Sequence, residues 1–162
     1  MLILGVDPGS HRTGYGAIDT DGRHHRLVEK GAITSPRRYS LPERLRHIHA
    51  GITGVIERLG PDLLAVEDVF HAANTRTALV LGHVRGVVLL AGAQAGLPVH
   101  EFPPATVKQQ VTGFGRADKR QVAFMVARIL EMPGPGEAGD AADALAVALC
   151  LACVGTGAVV PS

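Results

Sequence analysis

The sequence predicts an α/β domain built on a mixed β-sheet, and three observations carry that prediction. A short apolar run at residues 2–7 (LILGVD) closes on Pro8-Gly9, the pattern of a buried strand running into a turn. Two β-branched, alternating segments follow at 13–19 and 25–34, with Asp21-Gly22 between them as a hairpin signal. Beyond residue 40, helical stripes alternate with short apolar strands, which is the order that places strands parallel.

The first helix is read from Leu41, Leu45, Ile48, Ile52, Val55, Ile56 and Leu59, an amphipathic stripe that Gly60-Pro61 ends. Residues 63–67 (LLAVE) make a buried strand, 75–95 a helix, and 98–102 (PVHEF) another strand. Residues 104–112 and 118–131 form two further helices, the second stopped at Met132-Pro133. PGPGEAG at 133–139 is a loop by composition, and Asp140–Val154 is an Ala- and Leu-rich helix. The right-handed crossover rule sets strand 63–67 parallel to strand 2–7 and beside it. Their carboxyl ends, Asp7 and Glu67, then open into one crevice, where open α/β sheets bind ligands.

Size and composition narrow the function classes. A chain of 162 residues suits one domain spanning 1–162 and is too short for two domains closing over a nucleotide. With 46% hydrophobic residues but only 4% aromatic, the core is expected to be Ala, Val, Leu and Ile. Uninterrupted apolar runs fall short of roughly 20 residues, so no membrane partner is expected, and MLILGVDPGS lacks the marks of a secretory signal. Cys150 and Cys153 form no disulfide framework, which fits a reducing, cytoplasmic compartment; both are expected to be buried in the last helix. The net charge is only +1, yet residues 71–128 hold seven Lys and Arg against two acids. Such an uneven distribution permits a polyanionic partner.

Four carboxylates stand out by position. Asp7 and Glu67 end adjacent strands, while Asp140 and Asp143 share one face at the start of the last helix. If that helix crosses the sheet near the first strand, all four converge. Converging carboxylates repel and raise one another's pKa values, a problem that divalent cations remove. An all-oxygen donor set suits Mg²⁺ or Mn²⁺ rather than Zn²⁺. Taken singly, each acid also has an ordinary reading: a turn at Asp7, a charged strand end at Glu67, and an N-cap with its acidic neighbour at Asp140 and Asp143.

Gly5-Val6-Asp7-Pro8-Gly9-Ser10, Thr13-Gly14-Tyr15-Gly16, Glu67-Asp68-Val69-Phe70, Leu81-Gly82, Arg85-Gly86 and the run Asp140 to Ala146 together resemble the RuvC family of Holliday-junction resolvases. The match runs in order from the first strand to the last helix. The resemblance implies an RNase H-like fold, a mixed five-stranded sheet flanked by helices, and a homodimer that cuts four-way DNA junctions with two Mg²⁺ ions, or Mn²⁺ in their place. It makes Asp7, Glu67, Asp140 and Asp143 the catalytic metal ligands; some relatives carry His in place of the first aspartate of the last pair. It implies 5′-phosphate and 3′-hydroxyl ends, a role in recombination and repair, and a branch-migration complex, RuvA with RuvB, as partner.

The same resemblance makes Phe70 the aromatic that stacks on a base where junction strands separate, and sets Lys108 and Lys119 along the scissile strand. Asn74 and Arg76 stand at a helix start, where phosphate contacts are natural, though a cap and a solvated cation read equally well. Arg116 and Arg120 flank Lys119 and extend the basic track, and Gly113-Phe114-Gly115 reads as a mobile loop. The helix at 75–95, with Leu79, Leu81, Val87, Leu89 and Leu90 beside Gly82, Gly86 and Ala91, is where the resemblance puts the dimer contact. Two other classes stay open at this point: an actin-like ATPase, which also carries a GVDPGS-like phosphate loop but needs a second domain, and a junction-binding protein without catalysis. A nuclease for RNA–DNA hybrids is open on fold grounds.

Overall fold

The computed structural model describes residues 1–68, 74–134 and 136–155. Its elements are β1 (Leu2–Asp7), β2 (Arg12–Thr20), β3 (His25–Thr34), α1 (Leu41–Leu59), β4 (Leu63–Glu67), α2 (Thr75–Gln94), β5 (Val99–Phe102), α3 (Pro104–Thr112), α4 (Lys119–Ile129) and α5 (Asp140–Val154). The strands form one mixed sheet in the order β3-β2-β1-β4-β5. β1 pairs antiparallel with β2 and parallel with β4, with Val6 opposite Val66, so Asp7 and Glu67 leave the sheet side by side.

The apolar residues divide between the two faces of the sheet. α1 and α2 cover one, where Ile48, Ile52, Val84 and Val88 pack on Leu4, Val6, Leu64 and Val66. α5 lies across the other, with α3 and α4 outside it, around Leu145, Val147, Leu149, Val107 and Val126. Every residue of α5 from Ala144 to Leu151 is buried. That burial on all sides makes α5 the central helix, as its nearly unbroken apolar sequence requires.

Glycines set how closely α5 approaches the sheet. Gly5 and Gly16 face each other across β1 and β2, and Gly14 faces Asp7. A Cβ at Gly5 would lie 2.1 Å from the Ala144 carbonyl oxygen, one at Gly14 2.0 Å from that of Asp140, and one at Gly16 2.6 Å from the Leu145 side chain. The three missing side chains form a trough that lets the helix lie directly on the strands. Asp140 and Asp143 are thereby carried to the end of β1 that bears Asp7.

α2, at 20 residues, is long and apolar enough to cross a bilayer by length and composition alone, and Arg76 and Arg85 interrupt its apolar run, so no uninterrupted run reaches that length. Only 22% of that stretch is buried. Val84, Val88, Ala91 and Gly92 face the core, while Leu79 and Leu90 are exposed. Cys150 is buried as expected, but Cys153 is exposed. It sits in the last turn of α5, where Ala152 and Val154 are only partly covered.

Candidate active site

The carboxyl ends of β1 and β4, the first turn of α5 and the inner faces of α3 and α4 enclose a cleft of about 200 Å³. Asp7, Glu67, Asp143, Lys108 and Lys119 line it, on a base of Val107, Val122 and Ala146. Each acid is placed by a different element. Asp7 and Glu67 are the last residues of parallel strands. Asp143 lies one turn into α5, its backbone N–H bonded to the Gly139 carbonyl at 3.0 Å.

The Asp7 and Glu67 carboxyls stand together at the ends of β1 and β4, and each shifts the other's proton affinity. Burial, reinforced by the charge of Asp143, raises the Asp7 carboxyl to about 6. Burial and then the charge of Asp7 raise Glu67 to about 8. Both carboxyls are therefore raised together, as expected of two acids confined in one buried site. Lys119 relieves part of this strain: its Nζ donates to Asp143 Oδ2 at 2.8 Å, and its charge lowers both Asp7 and Glu67. The contact with Asp143 in turn raises the Lys119 ammonium.

Asp140 is placed differently. It is the first residue of α5, with Gly139 as the N-cap, and its Oδ2 meets Arg12 Nε at 2.7 Å. Three of the four acids thus share the cleft while Arg12 holds the fourth at its margin. Among the described residues, no three His, Cys, Asp or Glu side chains stand at metal-holding spacing. The donor chemistry nevertheless fits a hard cation: among the described residues, the anionic groups lining the cleft are the carboxylates of Asp7, Glu67 and Asp143, and burial together with mutual repulsion raises the first two. Arg12 pairs with Asp140 and Lys119 with Asp143.

The remaining predicted residues among those described lie outside the lining of this cleft, at α2, on α4 and between α3 and α4. Asn74 caps α2, its Oδ1 accepting from the Thr77 N–H at 2.9 Å, and Arg76 is exposed in the first turn. Arg116 and Arg120 are exposed at the approach to α4 and on its first turn. Gly113-Phe114-Gly115, read as a mobile loop, is tied on both sides by the Gln109 side chain. Phe70 lies outside the described residues.

Two arrangements were missed from the sequence. Arg12 pairs with Asp140, a contact that only the β1–β2 pairing and the α5 crossing bring about. Arg85 of α2 reaches Asp68 Oδ1 at 3.3 Å and Glu101 Oε1 at 2.7 Å, joining the helix to the ends of β4 and β5 beside Glu67. An isolated Arg amid the apolar residues of α2 was the available signal for the second.

Comparison with known proteins agrees with this geometry. Residues 3–151 match the family model for crossover junction endodeoxyribonuclease RuvC. The RuvC of Halorhodospira halophila is 52% identical over 149 residues, covering 91% of this chain and 87% of that protein. The RuvC of Chloroflexus aurantiacus is 49% identical over 150 residues, covering 93% and 92%. The structure of Thermus thermophilus RuvC in complex with a Holliday junction substrate superposes with a TM-score of 0.91 at 34% identity, covering 98% of both chains. The mixed five-stranded sheet with its flanking helices is the RNase H-like fold of these resolvases. By the extent of these matches, from the first strand to the last helix, the chain belongs to the RuvC family of crossover junction endodeoxyribonucleases.

Proposed function

We propose that this chain resolves four-way DNA junctions in recombination and repair by hydrolysing phosphodiester bonds at the cleft of Asp7, Glu67 and Asp143. The observation that carries the reading is the meeting of these three acids, from three separate elements, with Lys108 and Lys119 in one cleft. Asp7, Glu67, Asp140 and Asp143 are the residues that would hold two Mg²⁺ ions, with Mn²⁺ as a substitute. Bound there, such cations supply an activated water at neutral pH and charge stabilisation at the phosphate.

The chain's own groups do the rest. Cations held there would neutralise Asp7 and Glu67 and would compete with Lys119 for Asp143 and with Arg12 for Asp140. Lys119, released from Asp143, faces the scissile phosphate together with Lys108 and offsets charge in the transition state. Hydrolysis leaves a 5′-phosphate and a 3′-hydroxyl. Asn74, Arg76, Arg116 and Arg120 hold the flanking backbone, and Phe70 stacks on a base at the branch point.

The functional unit is a homodimer of single-domain chains paired through α2, whose exposed Leu79 and Leu90 lie in an apolar hollow with Leu45, Gly82, Gly86 and Val87. A twofold pair sets two clefts against two strands of like polarity, which accounts for paired nicks. The protein works in the cytoplasm on junctions presented by RuvA and RuvB. The test is cutting of a synthetic four-way junction by wild type and Asp7→Asn with Mg²⁺ or Mn²⁺. Loss of the nicks with junction binding retained is the expected result.

A further inference from the structure

Phe114 and Phe124 are two of only four phenylalanines in the chain, and they are 57% and 48% exposed. Both line one hollow of about 430 Å³, together with Ala117, Arg120, Gln121 and Met125. A second hollow of about 410 Å³ shares Arg120 and Phe124 and reaches Gly136 and Ala138. Among the described residues, no carboxylate lines either one. The Asp118 carboxylate is turned into the helix, accepting from the backbone N–H groups of Arg120 at 2.8 Å and Gln121 at 2.9 Å.

Phe114 is held outward by built structure. Gly113 takes φ 75°, which ends α3 and turns the chain. Gln109 Nε2 donates to the Gly113 carbonyl at 2.9 Å, and its Oε1 accepts from the Gly115 N–H at 3.0 Å. Thr112 Oγ1 accepts from the Phe114 N–H at 3.1 Å. The backbone is therefore fixed around an apolar ring left in water. Phe124 faces the same hollow from the second turn of α4, with Arg120 one turn before it.

We propose that this hollow receives one unpaired nucleobase from a DNA strand leaving the cleft, with Phe114 and Phe124 against the base and Arg120 beside its phosphate. The inference rests on the resolvase reading. It follows from charge and position together. An apolar protein anchor would fill the hollow but gives no reason for an arginine without an acid at its side. A strand with flat apolar bases and an anionic backbone meets both features. α3 and α4, which supply Lys108 and Lys119 to the cleft, also supply this hollow, so a strand held by those lysines passes close to it.

The test uses full-length protein without divalent metal and two probes: an oligothymidine, and a four-way junction carrying 2-aminopurine at successive positions beside the branch point. In wild type, one 2-aminopurine position changes its fluorescence on binding. In the double variant Phe114→Ala, Phe124→Ala that change is lost and oligothymidine binding weakens about tenfold or more, while affinity for blunt duplex stays within about twofold. Arg120→Gln lowers the salt dependence of oligothymidine binding by about one phosphate contact. Both rings face solvent, so matching thermal unfolding of variant and wild type verifies the fold. Unchanged oligothymidine binding and an unchanged 2-aminopurine signal in the double variant would overturn the proposal. That result would leave a protein anchor as the occupant. Failure of wild type to bind the junction would instead remove the resolvase reading, while the oligothymidine titration reports on the hollow separately.

Discussion

Lys119 Nζ lies 2.8 Å from Asp143 Oδ2, so a cation from α4 stands on an acid of α5 at the mouth of the cleft. The same ammonium lowers the proton affinity of Asp7 and Glu67 on the neighbouring strands. One side chain thus offsets carboxylate charge on three elements, and in the proposed reaction the same cation meets the phosphate.

From this follows the first prediction. Lys119→Gln lowers the single-turnover rate of junction cutting by about a hundredfold. Its effect on junction affinity is far smaller, because one phosphate contact among many is lost. Rates and binding isotherms measured on the same junction check the split.

The second prediction concerns pH in the metal-free protein. Asp7 and Glu67 bind their protons more tightly folded than unfolded, where their ordinary values are 3.8 and 4.5. Their contribution to stability is therefore full below those values and is lost as pH rises through about 6 and about 8. The melting temperature falls across that window, and added Mg²⁺ reverses the fall. At pH 8, Asp7→Asn stabilises the metal-free protein by about 1–2 kcal/mol. Thermal unfolding against pH, with and without Mg²⁺, measures all three effects.

Arg12 and Asp140 give the third. Their contact at 2.7 Å is between side chains 59% and 34% exposed, so breaking it costs at most about 1 kcal/mol of stability. Arg12→Ala leaves Asp140 without its competing cation, and affinity for Mn²⁺ rises by about two- to fivefold. Calorimetric titration of Mn²⁺ into the metal-free variant and wild type checks this.

The fourth concerns packing. Gly5→Ala puts a Cβ 2.1 Å from the Ala144 carbonyl oxygen, a backbone atom that cannot yield without moving α5. Destabilisation of about 3 kcal/mol or more is expected from such overpacking. Denaturant unfolding reads it directly.

The degree to which the fold was legible in the sequence follows from where the information lay. β1 and α1 were readable because period and turn chemistry agreed: Asp7-Pro8-Gly9 closes the strand, and Gly60 ends α1 with φ 58°; α5 was readable from its unbroken Ala- and Leu-rich run. Asp7, Glu67 and Asp143 were legible as a group because the crossover rule orders β1 and β4, and the last helix has two acids one turn apart. Arg12 was not, since its contact with Asp140 exists only through the antiparallel pairing of β2 and the passage of α5 over the glycine trough. Phe124 escaped for a related reason: it interrupts the buried face of α4 by one position, and nothing local shows that it meets Phe114 across a turn. α2 was legible in its bounds, at 75–95 against the observed Thr75–Gln94, but its apolar residues lie on most sides, so its sequence does not show which face is buried.

A fifth prediction addresses that helix. Leu79 and Leu90 are 61% and 50% exposed in the hollow of α2. Leu79→Glu with Leu90→Glu produces a monomer in sedimentation velocity at concentrations where wild type is a dimer. The monomer cuts one strand of a junction at a time.

The central claim is that the Asp7 cleft cuts four-way junctions, and product mapping on a mobile synthetic junction tests it most directly. Wild type with Mg²⁺ or Mn²⁺ is expected to place symmetric nicks in two strands of like polarity, each with a 5′-phosphate, and Asp7→Asn to bind the junction without nicking it. Tight junction binding by wild type with no nicking under either metal, across several junction sequences, would contradict the claim and leave a junction-recognition protein.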